Sequence, residues 1–287
     1  MLVIPPTSRL YALFNELAQT KRCVFFAGLP GTGKSLYIQQ MATIAAQNGR
    51  RIYLLQWDVS RMAFETAEVI TKYPEIDGVT DPAIRKAVGL WSRQGVLRWH
   101  EAHSDPSAIL IGETPLVGNR LIELAQPIND AAETLLGSKA TQFIVPVPST
   151  RVRRIIEEAR AKSIANPAHE KEKKDAPPNV LRLNWQDAYD AAVDLKIAEP
   201  NEKAPYDPTI YGEMYRQVLI NRQTEILLID DIFEPTSTVY DIGAVEGELS
   251  ATSKEVEKLI GEVEAAYSRP ELFEAVNSWH KHGINSI

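Results

Sequence analysis

The sequence predicts an α/β protein with a mainly parallel sheet covered by helices on both faces, and three observations carry that expectation. Five short runs are nearly continuous in apolar, β-branched or aromatic residues: Cys23 to Ala27, Arg51 to Trp57, Ala108 to Ile111, Gln142 to Val145 and Glu225 to Asp230. Stretches of helical spacing separate them, the alternation that builds parallel strands through crossovers. The first run passes through a glycine-rich turn directly into a helical stretch.

The elements follow in order. Thr7-Ser8 is an N-cap signal, and Leu10, Leu13, Phe14 and Leu17 recur at helical spacing, so a helix precedes the first strand. After the glycine turn, Leu36 to Ala42 has helical spacing and Asn48-Gly49 stops it. The second strand ends at Asp58. Met62 to His103 reads as helix, broken near Tyr73-Pro74 and Thr80-Asp81-Pro82. The third strand ends at Gly112-Glu113, and a helix carries Leu121, Ile122 and Leu124. The fourth runs into Pro146-Val147-Pro148. An arginine-bearing helix follows, with Arg151, Arg153, Arg154 and Arg160, and then a charge run from Pro167 to Asp175 closed by Pro177-Pro178, which reads as a solvated mobile loop. More helix, the fifth strand and a charged helical tail complete the chain.

The 287 residues, 44% hydrophobic and 24% charged, suit one large domain or a core with a small appendage; the division expected is a core over 1–247 and a helical C-terminal extension over 248–287. A net charge of −7 argues against an extended nucleic-acid surface. Cys23 is the only cysteine, so no intrachain disulfide and no cysteine-based metal site can form, and its place in a strand implies a buried, inert thiol. No apolar run has membrane-spanning length and the first six residues lack a charged front, so a cytoplasmic protein with no membrane partner is expected.

Gly28-Leu29-Pro30-Gly31-Thr32-Gly33-Lys34-Ser35 fits G-x-x-x-x-G-K-[ST] without a mismatch, between a strand and a helix. In that setting successive backbone N–H groups face a phosphate chain, and the helix start adds its positive dipole end. Lys34 would reach the β- and γ-phosphates and the Ser35 hydroxyl would hold Mg²⁺; the plain alternative is a glycine turn that binds nothing. Asp58, at the C-terminal end of its strand, faces the same crevice and could take the proton of an attacking hydroxyl, with Arg61 gripping an anionic acceptor. Equally, Asp58 could cap the next helix. The third strand delivers Glu113-Thr114-Pro115-Leu116 to that edge, followed by Asn119-Arg120.

Taken together, Gly28 to Ser35, the D-x-x-R pair Asp58 and Arg61, Glu113-Thr114 with Arg120, and Val147-Pro148 leading to the arginine helix resemble the P-loop kinase superfamily. The likeness is to the kinase domain of polynucleotide kinases and related small-molecule kinases, over the first 160 residues or so. The resemblance implies a P-loop NTPase three-layer α/β/α sandwich on a five-stranded, mainly parallel sheet, with a lid over about 149–180. It implies ATP and Mg²⁺ as cofactors, with Ser35, Asp58 and Glu113 at the metal. Arg154 and Arg160 are the lid arginines favoured to neutralise charge on the moving phosphoryl group. Glu113-Thr114-Pro115 departs from the family's Asp-Thr-Asn.

Two other readings stand beside a kinase acting on a small-molecule or nucleotide-like acceptor. Ile226 to Asp231 also looks like a Walker B strand, in which Asp230 or Asp231 would serve an ATPase coupled to a protein partner. A nucleotide-dependent binding module could instead use the tail to contact another protein. Trp57, Trp91, Trp99, His100 and His103 could line an acceptor pocket but read more simply as core, and the histidines lack metal-ligand spacing.

Overall fold

In the computed structural model, which describes residues 2–76, 78–165, 178–233, 238–239, 241–243 and 245–281, the five expected strands form and a sixth joins them. The strands are β1 (Cys23–Ala27), β2 (Arg51–Gln56), β3 (Ala108–Thr114), β4 (Thr141–Pro148), β5 (Thr224–Ile229) and β6 (Val245–Glu248). Their order is β5-β4-β1-β3-β2-β6, and every pairing is parallel. The expected count of five is thus corrected to six. The sixth strand escapes a hydropathy reading because Val245-Glu246-Gly247-Glu248 has one apolar residue and is half exposed, lying against the outer side of β2.

Side chains alternate across the sheet. Phe25, Leu110 and Phe143 enter one core, while Val24, Phe26, Ile109 and Ile144 enter the other. The second core is covered by α1 (Arg9–Thr20) and α2 (Lys34–Gln47) through Phe14, Leu17, Ile38 and Met41. The first lies under α3 (Trp57–Phe64), α4 (Ala67–Lys72) and the long α5 (Pro82–Ala102), which Asp81 caps through the Ala83 N–H. Trp57, Trp91 and Trp99 are buried there, and His103 stacks on Tyr53 with ring centroids 4.3 Å apart, so these aromatics are core rather than pocket lining.

The second strand stops one residue early. Gln56 is already the N-cap of α3, so Trp57 and Asp58 lie in its first turn, where an acid suits the helix dipole. The third strand runs one residue past its expected end at Gly112-Glu113, to Thr114, and carries Glu113 within it. The helix expected at Leu121 is a single 3₁₀ turn, Ile122–Leu124, because the chain before it winds through left-handed residues, with Leu121 itself at φ +64°. The strand β4 runs through both prolines. Phe143 N and Ser149 N donate to the β5 side, so Pro146 and Pro148, of opposite parity, turn their missing N–H toward the flank where pairing with β1 has ended.

The short α6 (Glu133–Leu136) precedes β4, and α7 (Thr150–Ala165), α8 (Pro178–Asp194) and α9 (Pro208–Val218) follow it. The charge run from Pro167 to Asp175 and the Pro235–Ser237 stretch lie outside the described residues. The C-terminal helices α10 (Ser253–Ala266) and α11 (Arg269–Asn277) open on capping boxes, Thr252 with Glu255 and Ser268 with Glu271. Val256, Leu259 and Val263 of α10 join the main core, and both helices pack on α5. The expected boundary after Gly247 falls inside β6, and the apolar face of the tail is spent within the molecule. No helix among the described residues is long and apolar enough to cross a membrane.

Candidate functional site

The loop from Gly28 to Ser35 joins the C-terminal end of β1 to α2. Gly28, Gly31 and Gly33 have φ of +149°, +78° and +85°, a path closed to ordinary side chains. Gly33 is the N-cap of α2 and offers no capping side chain, so the first N–H groups of that helix are left to other partners. Thr32 Oγ1 donates to Leu29 O at 2.8 Å. The Leu29 N–H donates to the Tyr211 hydroxyl at 3.0 Å, and a Cβ at Gly28 would stand 2.6 Å from that oxygen. Tyr211, from α9, thus fixes the loop from beneath.

Lys34 is 5% exposed; its Nζ donates to Leu29 O at 2.9 Å and lies 3.3 Å from Glu113 Oε1. Burial lowers its pKa most, the Glu113 carboxylate pushes it back up, Arg160 lowers it and Asp58 raises it. Lys34, Glu113, Arg160 and Asp58 therefore share one electrostatic neighbourhood. The sheet register explains the central pair: Phe26 pairs with Glu113 and Ala27 with Thr114, so the end of β3 lies alongside the start of the glycine loop.

Helices α7 and α8 cover the loop. A Cβ at Gly31 would meet Leu181 at 3.6 Å and Glu157 at 3.7 Å, and one at Gly33 would meet Ile156 at 3.6 Å. The arginines of α7 go separate ways. Arg151 reaches outward to Asp230 O at 2.5 Å. Arg153 is buried over the Tyr206 ring, 4.3 Å from its centroid, with Nη1 unpartnered. Arg154 is 73% exposed and 3.8 Å from Glu158, away from the loop, whereas Arg160 acts on Lys34.

No family model, curated protein or solved structure matches this chain. Function must be read from the geometry.

Asp58 is 73% exposed at the rim, within electrostatic reach of Lys34 and Arg120. Arg61 is enclosed by carboxylates, bonded to Glu65 with Asp58 at 3.7 Å and Glu75 at 3.9 Å, so its charge is already matched. Asp230 follows the edge strand β5, separated from β1 by β4; it is exposed and accepts from Ser149 Oγ at 2.8 Å. No group of three or more His, Cys, Asp or Glu that could hold a metal occurs among the described residues. A phosphate-bound Mg²⁺ needs only one or two protein oxygens, and Glu113 brings a carboxylate to the edge of the loop.

Sequence reasoning missed Tyr211, Leu181, Arg85 and Asn184. The first belongs to a set of tyrosines, Tyr206, Tyr211 and Tyr215, that pack ring on ring. Their spacing reads as core, and nothing in it points to a loop reached across 182 residues of chain.

Proposed function

We propose that this chain is a P-loop kinase that binds ATP with Mg²⁺ and transfers the γ-phosphoryl group to a hydroxyl-bearing acceptor. The observation that carries the reading is the meeting of Lys34 and Glu113 at 3.3 Å, beneath helices that cover the glycine loop. It unites a cation for the phosphates with a carboxylate for the metal on adjacent strand ends. Left-handed glycines at three loop positions supply the backbone path that an anion nest requires.

In this reading the loop N–H groups and Lys34 neutralise the β- and γ-phosphates. Bound Mg²⁺ would add further charge neutralisation, held by Ser35 and Glu113. The acceptor oxygen attacks the γ-phosphorus, the bond to the β–γ bridging oxygen breaks, ADP leaves, and the acceptor proton passes to Asp58. Arg160, on the covering helix, offsets charge on the moving group. Because Gly31 lies under Leu181 and Glu157, nucleotide entry requires α7 and α8 to swing away, and reclosure expels water.

The Walker B alternative is less well supported, since Asp230 is exposed on the flank of the sheet and bonded to Ser149. Turnover in designed variants separates the two. Lys34→Ala should abolish binding of an ATP analogue. Asp58→Asn should keep that binding and lose transfer, or the slow leak of phosphoryl to water, by about 10²–10⁴-fold. Vigorous acceptor-independent hydrolysis that disappears in Asp230→Asn and survives in Asp58→Asn would overturn the kinase reading. Wild-type ATP binding by Lys34→Ala would overturn the nucleotide site itself.

A further inference from the structure

The segment after Glu113 holds three of the four non-glycine residues with left-handed φ among the described residues, Leu116, Asn119 and Leu121. Leu116 N donates to Arg120 O at 2.9 Å and Arg120 N returns to Leu116 O at 3.2 Å, closing a tight loop. Within and just after it, Leu116, Gly118, Asn119 and Leu121 have φ of +64°, +68°, +60° and +64°. Two fully buried leucines in the left-handed region are costly, and such conformations persist only where the surroundings enforce them. Here the Tyr215 hydroxyl donates to Pro115 O at 2.7 Å and Arg85 Nη1 donates to Gly118 O at 2.8 Å. Arg85 thus grips the loop at Gly118, two residues before Arg120, and the two guanidiniums lie within electrostatic reach of each other.

Arg85, which is buried, and Arg120, which is partly so, differ from the buried, paired arginines. Arg93 is bonded to Asp130 and Glu133, and Arg222 to Glu133, so each has its counter-ion. Arg85, 9% exposed, has a single hydrogen bond, to a carbonyl, and its Nε has no partner. Arg120 has a single one, to Asn184 Oδ1 at 2.7 Å. Among the described residues no carboxylate forms an ion pair within 4.0 Å of either guanidinium. Asp187, exposed on α8, acts on both from farther away, and Asp58 and Glu113 act on Arg120. A buried and a partly buried guanidinium with spare donors and no direct counter-ion are what an oxyanion fits.

We propose that Arg85 and Arg120, held by the contorted 116–121 loop, bind an oxyanion carried by the acceptor, either a phosphomonoester or a carboxylate. The assignment to the acceptor rests on the kinase reading; the anion site does not. It also supplies the grip that Arg61, enclosed by carboxylates, is not free to give.

Calorimetric titration of inorganic phosphate and of malonate onto the unmodified chain, repeated in Lys34→Ala to remove the loop's own phosphate affinity, tests the proposal. One anion should bind in both chains, and which of the two binds tighter identifies the group that the acceptor carries. Arg85→Gln and Arg120→Gln should each weaken that binding about 10-fold or more, the worth of a charge-assisted bond. Asp187→Asn, a change on an exposed helix face that leaves folding intact, should strengthen it several-fold. Equal affinity in the parent chain, both arginine variants and Asp187→Asn would overturn the proposal, as would absence of binding for both anions in the folded Lys34→Ala protein. Failure of the nucleotide reading shows separately, as absence of ATP-analogue binding to the unmodified chain.

Discussion

Replacing Glu113 with Gln removes one charge beside a buried ammonium while keeping the side chain's shape. The Nζ–Oε1 separation is 3.3 Å, with Lys34 5% and Glu113 21% exposed. At an effective dielectric of about 20 the attraction is worth about 5 kcal/mol. Relief from desolvating the carboxylate offsets part of that, so the variant should lose about 2 kcal/mol of stability, below the ~3–5 kcal/mol of a fully buried pair. The pH dependence should move as well. Burial and Arg160 lower the Lys34 pKa and Glu113 is the main influence raising it, so without Glu113 it falls further. Between the folded pKa and the ordinary value of 10.5 the unfolded chain holds a proton that the folded chain lacks, so this group's contribution to stability rises with pH there. In Glu113→Gln that window opens at lower pH. Affinity for an ATP analogue, which needs the protonated amine, should likewise begin to fall at lower pH than in the parent. Urea unfolding across a pH series and fluorescent-analogue titrations measure both effects. A parent-like urea midpoint together with a parent-like alkaline limb of binding would refute the coupling of Lys34 to Glu113.

Gly112→Ala should destabilise the sheet by about 1–3 kcal/mol, because its Cβ would lie 2.3 Å from the Phe25 ring; an unchanged melting temperature would contradict that packing. Tyr211→Phe strips the acceptor from the buried Leu29 N–H. It should cost about 1–3 kcal/mol and speed amide exchange in the glycine loop, so parent-like exchange would count against the tyrosine as its support. Burial pushes the Cys23 thiol up to about 12, and a thiol reagent should label it only as fast as the protein unfolds. Prompt labelling of native protein would place Cys23 elsewhere.

The glycine loop and its flanking strand and helix were legible because local chemistry dictates them: left-handed positions demand glycine, and β1 has no polar side chain to expose. The breaks near Tyr73-Pro74 and Asp81-Pro82 were legible for the same reason, since prolines act on their immediate neighbours, whereas the break at Glu65-Thr66, where Thr66 caps α4, was not expected. What stayed hidden was non-local. The strand β6 has too little apolar surface to announce itself and is defined by the open side of β2. In the loop from Leu116 to Leu121 nothing in the sequence marks the two leucines as left-handed, and the loop is held by contacts from Arg85 and Tyr215. The four arginines of α7 are equivalent in sequence, and only the fold distinguishes Arg160, within electrostatic reach of Lys34, from the exposed Arg154 beside Glu158.

The competing acids make the same point most sharply. Ile109-Leu110-Ile111-Gly112-Glu113 and Ile226-Leu227-Leu228-Ile229-Asp230 are both apolar runs that end in a carboxylate, so composition alone allows either to serve a nucleotide. Strand order separates them. The first lies beside β1, with Glu113 opposite Phe26, two residues before the glycine loop begins at Gly28. The second pairs only with β4, and Ile229 lies opposite Pro148, two strand positions from β1. Neighbouring strands are about 4.8 Å apart, so an acid two strands away starts roughly 10 Å from the loop and would have to cross β4 to reach it. Asp230 instead turns to Ser149 and Arg151, at the start of α7. Its carboxylate steadies the base of the covering helix, and Glu113 is the acid that faces Lys34.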